Sequence, residues 1–304
     1  MQAFPGLLRA LVAIMCLNLQ PAYGESDLQV EVFRGGFATV NSFIFSNDHS
    51  LIVMDVQRKS DEAKKLVERI KAMQLPLTHV LISHGHTDHF TGMPVFQQAF
   101  PDAKIVVANE AIKRDIKAYA IYMNTGGETD AEPALEPALR PKTGENPDGF
   151  DYENTIQVLP GNTLTLEGGG VLELATNYLP SEADHMATVY SADLNALFLA
   201  DLGYNQVHLW LGDDISRQDI ANWRQDLLRL KAEYAARNPT IYPGHGAPTD
   251  TRIFDEMVAY IDDFTRVTES ARSREDAQAQ MIALYPDYAE ADFFLKYSIE
   301  NHVK

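Results

Sequence analysis

The sequence predicts an α/β fold followed by an all-helical C-terminal extension, on three observations. Short runs rich in Val, Ile and Phe alternate with segments of helical period, Gly, Pro and Asn punctuate their boundaries, and residues 251–304 carry helical periodicity alone. With 304 residues, 45% of them hydrophobic, the chain can bury the core of one large domain with an appendage.

Residues 28–33, 41–45 and 50–56 are separated by Gly35-Gly36 and by turn-forming residues over 46–49, which predicts an opening β-meander. Residues 61–73 place Ala63, Leu66, Val67, Ile70 and Met73 at helical spacing behind the N-cap candidate Ser60, and Pro76 leads into a strand over 78–83. A helix over 93–99 and a strand over 104–108 repeat the alternation. From 123 to 160 the periodicity fails among Gly126-Gly127, Pro133, Pro137, Pro141, Pro147 and Gly149, so a long loop is expected, either functional or disordered. Strands over 163–167 and 171–175 follow, then a hairpin of 188–191 and 196–200 that Asp201 ends. Ser216 opens a helix reaching about Arg237, with Ile220, Trp223, Leu227, Leu230 and Tyr234 on one face. A strand over 240–242 then delivers His245 within Pro-Gly-His-Gly, and Phe254, Val258, Ile261, Phe264 and Val267 stripe the helix beyond it.

Residues 10–19 form a short apolar run after Arg9, and Ala22-Tyr23-Gly24 offers small residues at a cleavage-like spacing. Residues 1–24 therefore read as a secretory signal, with a buried N-terminal helix as the alternative, and the expected address is periplasmic or secreted. Gln20 and Pro21 break the run short of the ~20 apolar residues that a bilayer requires, so no stable membrane insertion is expected. The single cysteine, Cys16, lies within this run, leaving the mature chain unable to form a disulfide. The formal charge of −18 would repel a phosphate backbone and argues against nucleic acid as a partner. A small-molecule substrate is expected instead.

The chemistry concentrates in Ser83-His84-Gly85-His86-Thr87-Asp88-His89, between an apolar strand and a helix. His84 and His86, two apart on extended chain, project to the same side and can reach one ion, while Asp88 and His89 beyond the turn can serve another. Such density of potential ligands is a far stronger signal than any lone histidine.

The pattern His84-x-His86-x-Asp88-His89, continued by Asp201 and His245, resembles the signature of the metallo-β-lactamase superfamily over about residues 28–248. The resemblance implies a four-layer αββα sandwich for residues 25–250, with 251–304 as a helical extension. It implies two divalent metal ions, generally zinc and sometimes manganese or iron. His84 and His86 would hold the first, Asp88, His89 and His245 the second, and Asp201 would bridge them, although an Asp at a strand end also serves as a turn cap. The family's third histidine for the first metal falls in Leu179-Pro180-Ser181-Glu182-Ala183-Asp184-His185-Met186. A gapless placement puts Glu182 at the ligand position and a small loop adjustment brings in His185, and both readings stay open. A carboxylate there would shift preference toward manganese or iron. Tyr204 stands where lactonase-like members carry a tyrosine that donates to the substrate, with an ordinary packed tyrosine as the alternative. His208 reads as a structural histidine, with an approach to the site from the loop beyond Tyr204 as the alternative.

By this resemblance the chain is a dinuclear metal-dependent hydrolase of the lactonase or glyoxalase II-like branch, attacking with metal-bound hydroxide. Asp88 would orient the hydroxide and pass a proton to the leaving group, and Tyr204 would steady the oxyanion. Aspartate at 201 departs from the β-lactamases that carry cysteine there, and an export signal argues against a cytosolic thioesterase. An ester or lactone is the expected substrate. β-Lactam hydrolysis, or a non-catalytic metal-binding module of the same fold, is the alternative.

Overall fold

The computed structural model describes residues 27–124, 140–212 and 215–304; the expected signal at 1–24 lies outside them. The chain builds two sheets. The first holds six strands in sequence order, β1 (Gln29–Arg34), β2 (Asn41–Ser46), β3 (Leu51–Met54), β4 (Leu77–Leu81), β5 (Lys104–Val107) and β6 (Ile156–Val158). Its first three strands are antiparallel and β3 to β6 are parallel. The second runs in the order β11 (Thr240–Gly246), β10 (Ala196–Asn205), β9 (Thr188–Ser191), β8 (Val171–Ala175), β7 (Thr163–Thr165), with only β10 and β11 parallel.

Successive residues of a strand face opposite sides of its sheet, and β2 shows what each side packs against. Phe43 and Phe45 enter the core between the sheets, where their rings meet Phe198 of β10 at 5.0 and 4.7 Å. Ile44 turns the other way, into a cluster with Ala63, Leu66, Val67 and Ile70 of α1 (Ser60–Ala72), Met93 and Phe96 of α3 (Met93–Ala99), and Ile112 and Ile116 of α4 (Glu110–Asn124). The second sheet shares its cluster with Trp223, Leu227 and Leu230 of α6 (Arg217–Tyr234) and Phe254, Met257 and Phe264 of α7 (Ile253–Ser270). This is the expected αββα layering. Helices α7, α8 (Arg274–Leu284) and α9 (Lys296–His302), with a π turn at Ala291–Leu295, make up the helical C-terminal region. Among the described residues, no helix is long and apolar enough to cross a membrane.

Several expectations need correction. Ser60 is the first residue of α1 rather than its cap, the cap position falling to Lys59 without a side-chain bond. Ser216 does cap α6, through a reciprocal capping box with Asp219. The stretch 123–160 is not loop throughout. Its residues 125–139 lie outside the described ones, but α5 (Tyr152–Thr155) and β6 follow, and β6 completes the parallel ladder beside β5. Strand β6 has three residues, too few for a period to register. Nor does Asp201 end its strand: β10 continues to Asn205 past an irregularity at Ala200, where φ is +47°. Such a bulge re-aims the next side chain without ending the pairing.

Candidate metal centre

The short helix α2 (Thr87–Phe90) follows β4, so His84 and His86 project from the chain leaving that strand, and Asp88 and His89 from the first turn beyond it. Asp201 comes from β10 and His245 from β11, where Tyr204 and His245 are register partners. Glu182 comes from the loop before β9, held against the motif by a bridge between His84 and Met186.

The structure gathers these side chains into two groups. His84, His86, Glu182 and Asp201 offer ligand atoms all within 4.8 Å of one another, and so do Asp88, His89 and His245. Asp201 spans both: its carboxylate stands 3.7 Å from His84 Nε2, 3.1 Å from His89 Nε2 and 3.1 Å from His245 Nε2. Asp88 lies 3.9 Å from His89 Nε2 and 3.6 Å from His245 Nε2. Glu182, and not His185, stands with His84 and His86, its oxygens 3.6 Å from His84 Nε2 and 2.7 Å from His86 Nδ1. The His185 side chain is 47% exposed and its Nδ1 meets Asp115 at 2.8 Å.

Hydrogen bonds behind the imidazoles aim their free nitrogens inward. His89 Nδ1 donates to Asp55 Oδ2 at 2.8 Å, and His245 Nδ1 donates to the Ala38 carbonyl at 2.6 Å. Ser83 Oγ donates to Asp55 at 2.8 Å and accepts from His84 Nδ1 at 2.9 Å. Each arrangement leaves Nε2 as the lone-pair nitrogen. Asp55 reaches this position from αL backbone, with φ of +62°. The sequence reading missed Asp55; an aspartate directly ending the apolar run Leu51-Ile52-Val53-Met54 was the available signal.

The electrostatics are those of a site built for cations. Burial holds His84 below the ordinary histidine value, reinforced by repulsion from His89. Burial also opposes charge on His89 and His245, yet Asp201 and its neighbouring carboxylates outweigh it and raise both. Burial lifts Glu182 to about 7. Asp201 is lowered in spite of burial, because His89 and His245 stabilise its anion. His84 Nε2, His89 Nε2, Glu182 Oε2 and Asp201 Oδ1 are buried without a hydrogen-bond partner. Orphaned groups of this kind cost about 1–3 kcal/mol each unless something else satisfies them. Mixed imidazole and carboxylate donors, converging from both sides on one carboxylate, fit divalent metal ions.

Tyr204 and His208 lie outside the two ligand groups. The Tyr204 hydroxyl donates to Asp201 Oδ2 at 3.1 Å and approaches Glu182 Oε1 at 3.4 Å, and its ring stacks on His245 at 4.7 Å. It thus braces the carboxylates while also lining the pocket. His208 is fully buried and bonds Tyr260 at 2.8 Å, away from the centre, as a structural histidine would. The pocket above the centre is lined by Phe37, Arg58, Tyr119, Trp210, Phe293 and Phe294, none of which the motif reading identified.

Comparison with known proteins identifies the family and the fold. A model of the metallo-beta-lactamase superfamily matches residues 35–245. A probable metallo-hydrolase of Streptococcus pyogenes is 23% identical over 214 residues, 69% of this chain and 80% of that protein. Among solved structures, a metallo-beta-lactamase family protein of Thermus thermophilus superposes with a TM-score of 0.62 at 18% identity, covering 91% of each chain. A metallo-beta-lactamase from Pontibacter korlensis superposes at 0.54 with 15% identity, over 77% of this chain and 99% of that one.

Proposed function

The chain belongs to the metallo-β-lactamase superfamily, and on that footing we propose that it hydrolyses an ester or lactone with two divalent metal ions held by the residues gathered above. The observation that carries this reading is the set of unpartnered, buried ligand atoms on His84, His89, Glu182 and Asp201, the two carboxylates of which also line a pocket together with His86, Asp88 and His245. His84, His86 and Glu182 would hold one ion, Asp88, His89 and His245 the other, with Asp201 shared. Bound ions would acidify a water and polarise the substrate carbonyl.

The protein's own groups supply the rest. Asp88 is the most exposed of the three site carboxylates, its side chain 11% accessible against 1% for Glu182 and 2% for Asp201. It can therefore take a proton from water and return it to a leaving group. Tyr204 holds Asp201 and Glu182 in place through its hydroxyl, a positioning role. Asp55 fixes the tautomer of His89.

The lactamase neighbour from Pontibacter korlensis makes β-lactam hydrolysis the second reading. Export, supported by the apolar run and small residues before position 25, is part of the proposal. Metal analysis of the purified chain, with a panel of lactones, aryl esters, β-lactams and thioesters, tests it. Two bound metals and chelator-sensitive turnover of lactones or esters are expected. Fewer than one metal per chain sinks the centre, and two metals without turnover on any substrate leave a binding module.

A further inference from the structure

The pocket above the metal centre has two different sides. Phe37, Trp210 and Phe293 form an aromatic wall, with ring centroids 5.6 Å apart for Phe37 and Phe293 and 5.9 Å for Trp210 and Phe293. Phe293 comes from the π turn in the helical C-terminal region, a wide turn entered through Glu290 in αL conformation. Insertions of this kind concentrate at functional sites.

Arg58 stands beside this wall. Its guanidinium lies 4.8 Å from the centre of the Phe37 ring and donates to Thr87 Oγ1. Its backbone is pinned as well: Gln57 before it has φ of +72°, and Thr91 Oγ1 donates to the Arg58 carbonyl at 2.5 Å. Among the described residues Arg58 forms no ion pair, although Asp88, Glu182 and Asp201 line the same pocket. A guanidinium engaged only by a ring face and one hydroxyl keeps donors and its full charge for an incoming group, in a fixed orientation suited to a planar anion. The cavity measures about 180 Å³, somewhat more than the ~150 Å³ that accommodates benzene.

We propose that Arg58 and the wall of Phe37, Trp210 and Phe293 form a subsite for an amphipathic anion, a carboxylate pairing with Arg58 while an apolar ring lies on the wall. The proposal rests on the hydrolase reading only in placing that anion on the molecule to be cleaved. It separates the possible substrates by charge: a neutral lactone or ester leaves Arg58 unused, whereas a carboxylate-bearing ester or β-lactam engages it.

Calorimetric titration of the metal-loaded protein with 3-phenylpropionate and its neutral amide tests the subsite without turnover. Wild type is expected to bind the anion at least ~10-fold more tightly, the scale of one charge-assisted hydrogen bond. Arg58→Gln should bring the two probes within about twofold while amide affinity and metal content hold, and Arg58→Lys should restore part of the difference. Phe293→Ala should weaken both probes equally. An anion preference that survives in Arg58→Gln would assign the carboxylate to the metal ions and overturn the role of Arg58, as would no preference in wild type. Indifference to Phe293→Ala would overturn the wall. Turnover of matched esters with and without a free carboxylate, and of a carboxylate-bearing β-lactam, then distinguishes the sources of the anion. Absence of all turnover with the binding preference intact would remove the hydrolase reading and leave the subsite standing.

Discussion

Gly244 and Asp201 are packed so closely that a Cβ on residue 244 would lie 2.0 Å from Asp201 Oδ1. Strands β10 and β11 run parallel here, Ala200 opposite Pro243, and the missing side chain is what lets the carboxylate lie between both ligand groups. Gly244→Ala should therefore displace Asp201 and lower metal content in both groups. The Ala200 backbone, 2.7 Å from the same Cβ, adds overpacking of about 1–3 kcal/mol. Metal stoichiometry and urea unfolding measured together check this; full metal occupancy in the variant would show that Asp201 can move without loss.

Glu182 and His185 separate cleanly as variants. Glu182→Ala should strip the ion from the group containing His84 and His86, because the Glu182 carboxylate stands against both histidines. His185→Ala should leave metal content unchanged, since its partner is the surface carboxylate of Asp115. Glu182→His should raise the preference for zinc over manganese, imidazole being the softer donor. Competition between the two metals, read by elemental analysis, decides it.

Asp55 touches no ligand-bearing space yet accepts from His89 and from both the backbone and the hydroxyl of Ser83. Asp55→Asn keeps the shape and alters the hydrogen bonding that fixes the His89 tautomer. Metal affinity should fall about 10–100-fold, the usual effect of losing such a support, with little change in helix or sheet content by circular dichroism. An unchanged metal dissociation constant would refute the orienting role.

His208 gives a pH signature. Burial lowers it from 6.5 to about 4, so the unfolded chain binds this proton first as pH falls. Above about 6.5 both states are neutral and the group contributes nothing to pH dependence. Between about 6.5 and 4 stability falls, by at most about 3 kcal/mol. His302, also lowered to about 4 by burial and by repulsion from Arg217, acts in the same direction. His208→Gln should flatten the decline in unfolding midpoint over this interval relative to wild type; an unaltered slope would assign the acid sensitivity elsewhere.

The sequence by itself determined the alternation of strands and helices and the candidate ligand types. Hydrophobic period distinguishes strand from helix locally, and His84, His86, Asp88 and His89 sit within six residues of one another, so their chemistry needs no tertiary information. Asp201 and His245 were legible through the order of motifs. The tertiary structure decided what depends on convergence from distant segments. It placed Glu182 rather than His185 beside His84, because a loop register of a few residues is set by the bridge to Met186 and not by composition. It turned Tyr204 onto Asp201 and Glu182, and it brought Phe37, Arg58 and Phe293 to one pocket from segments more than two hundred residues apart. Side chains from such separations meet only when the sheets pack and the helical C-terminal region folds over them, and no local period encodes that meeting.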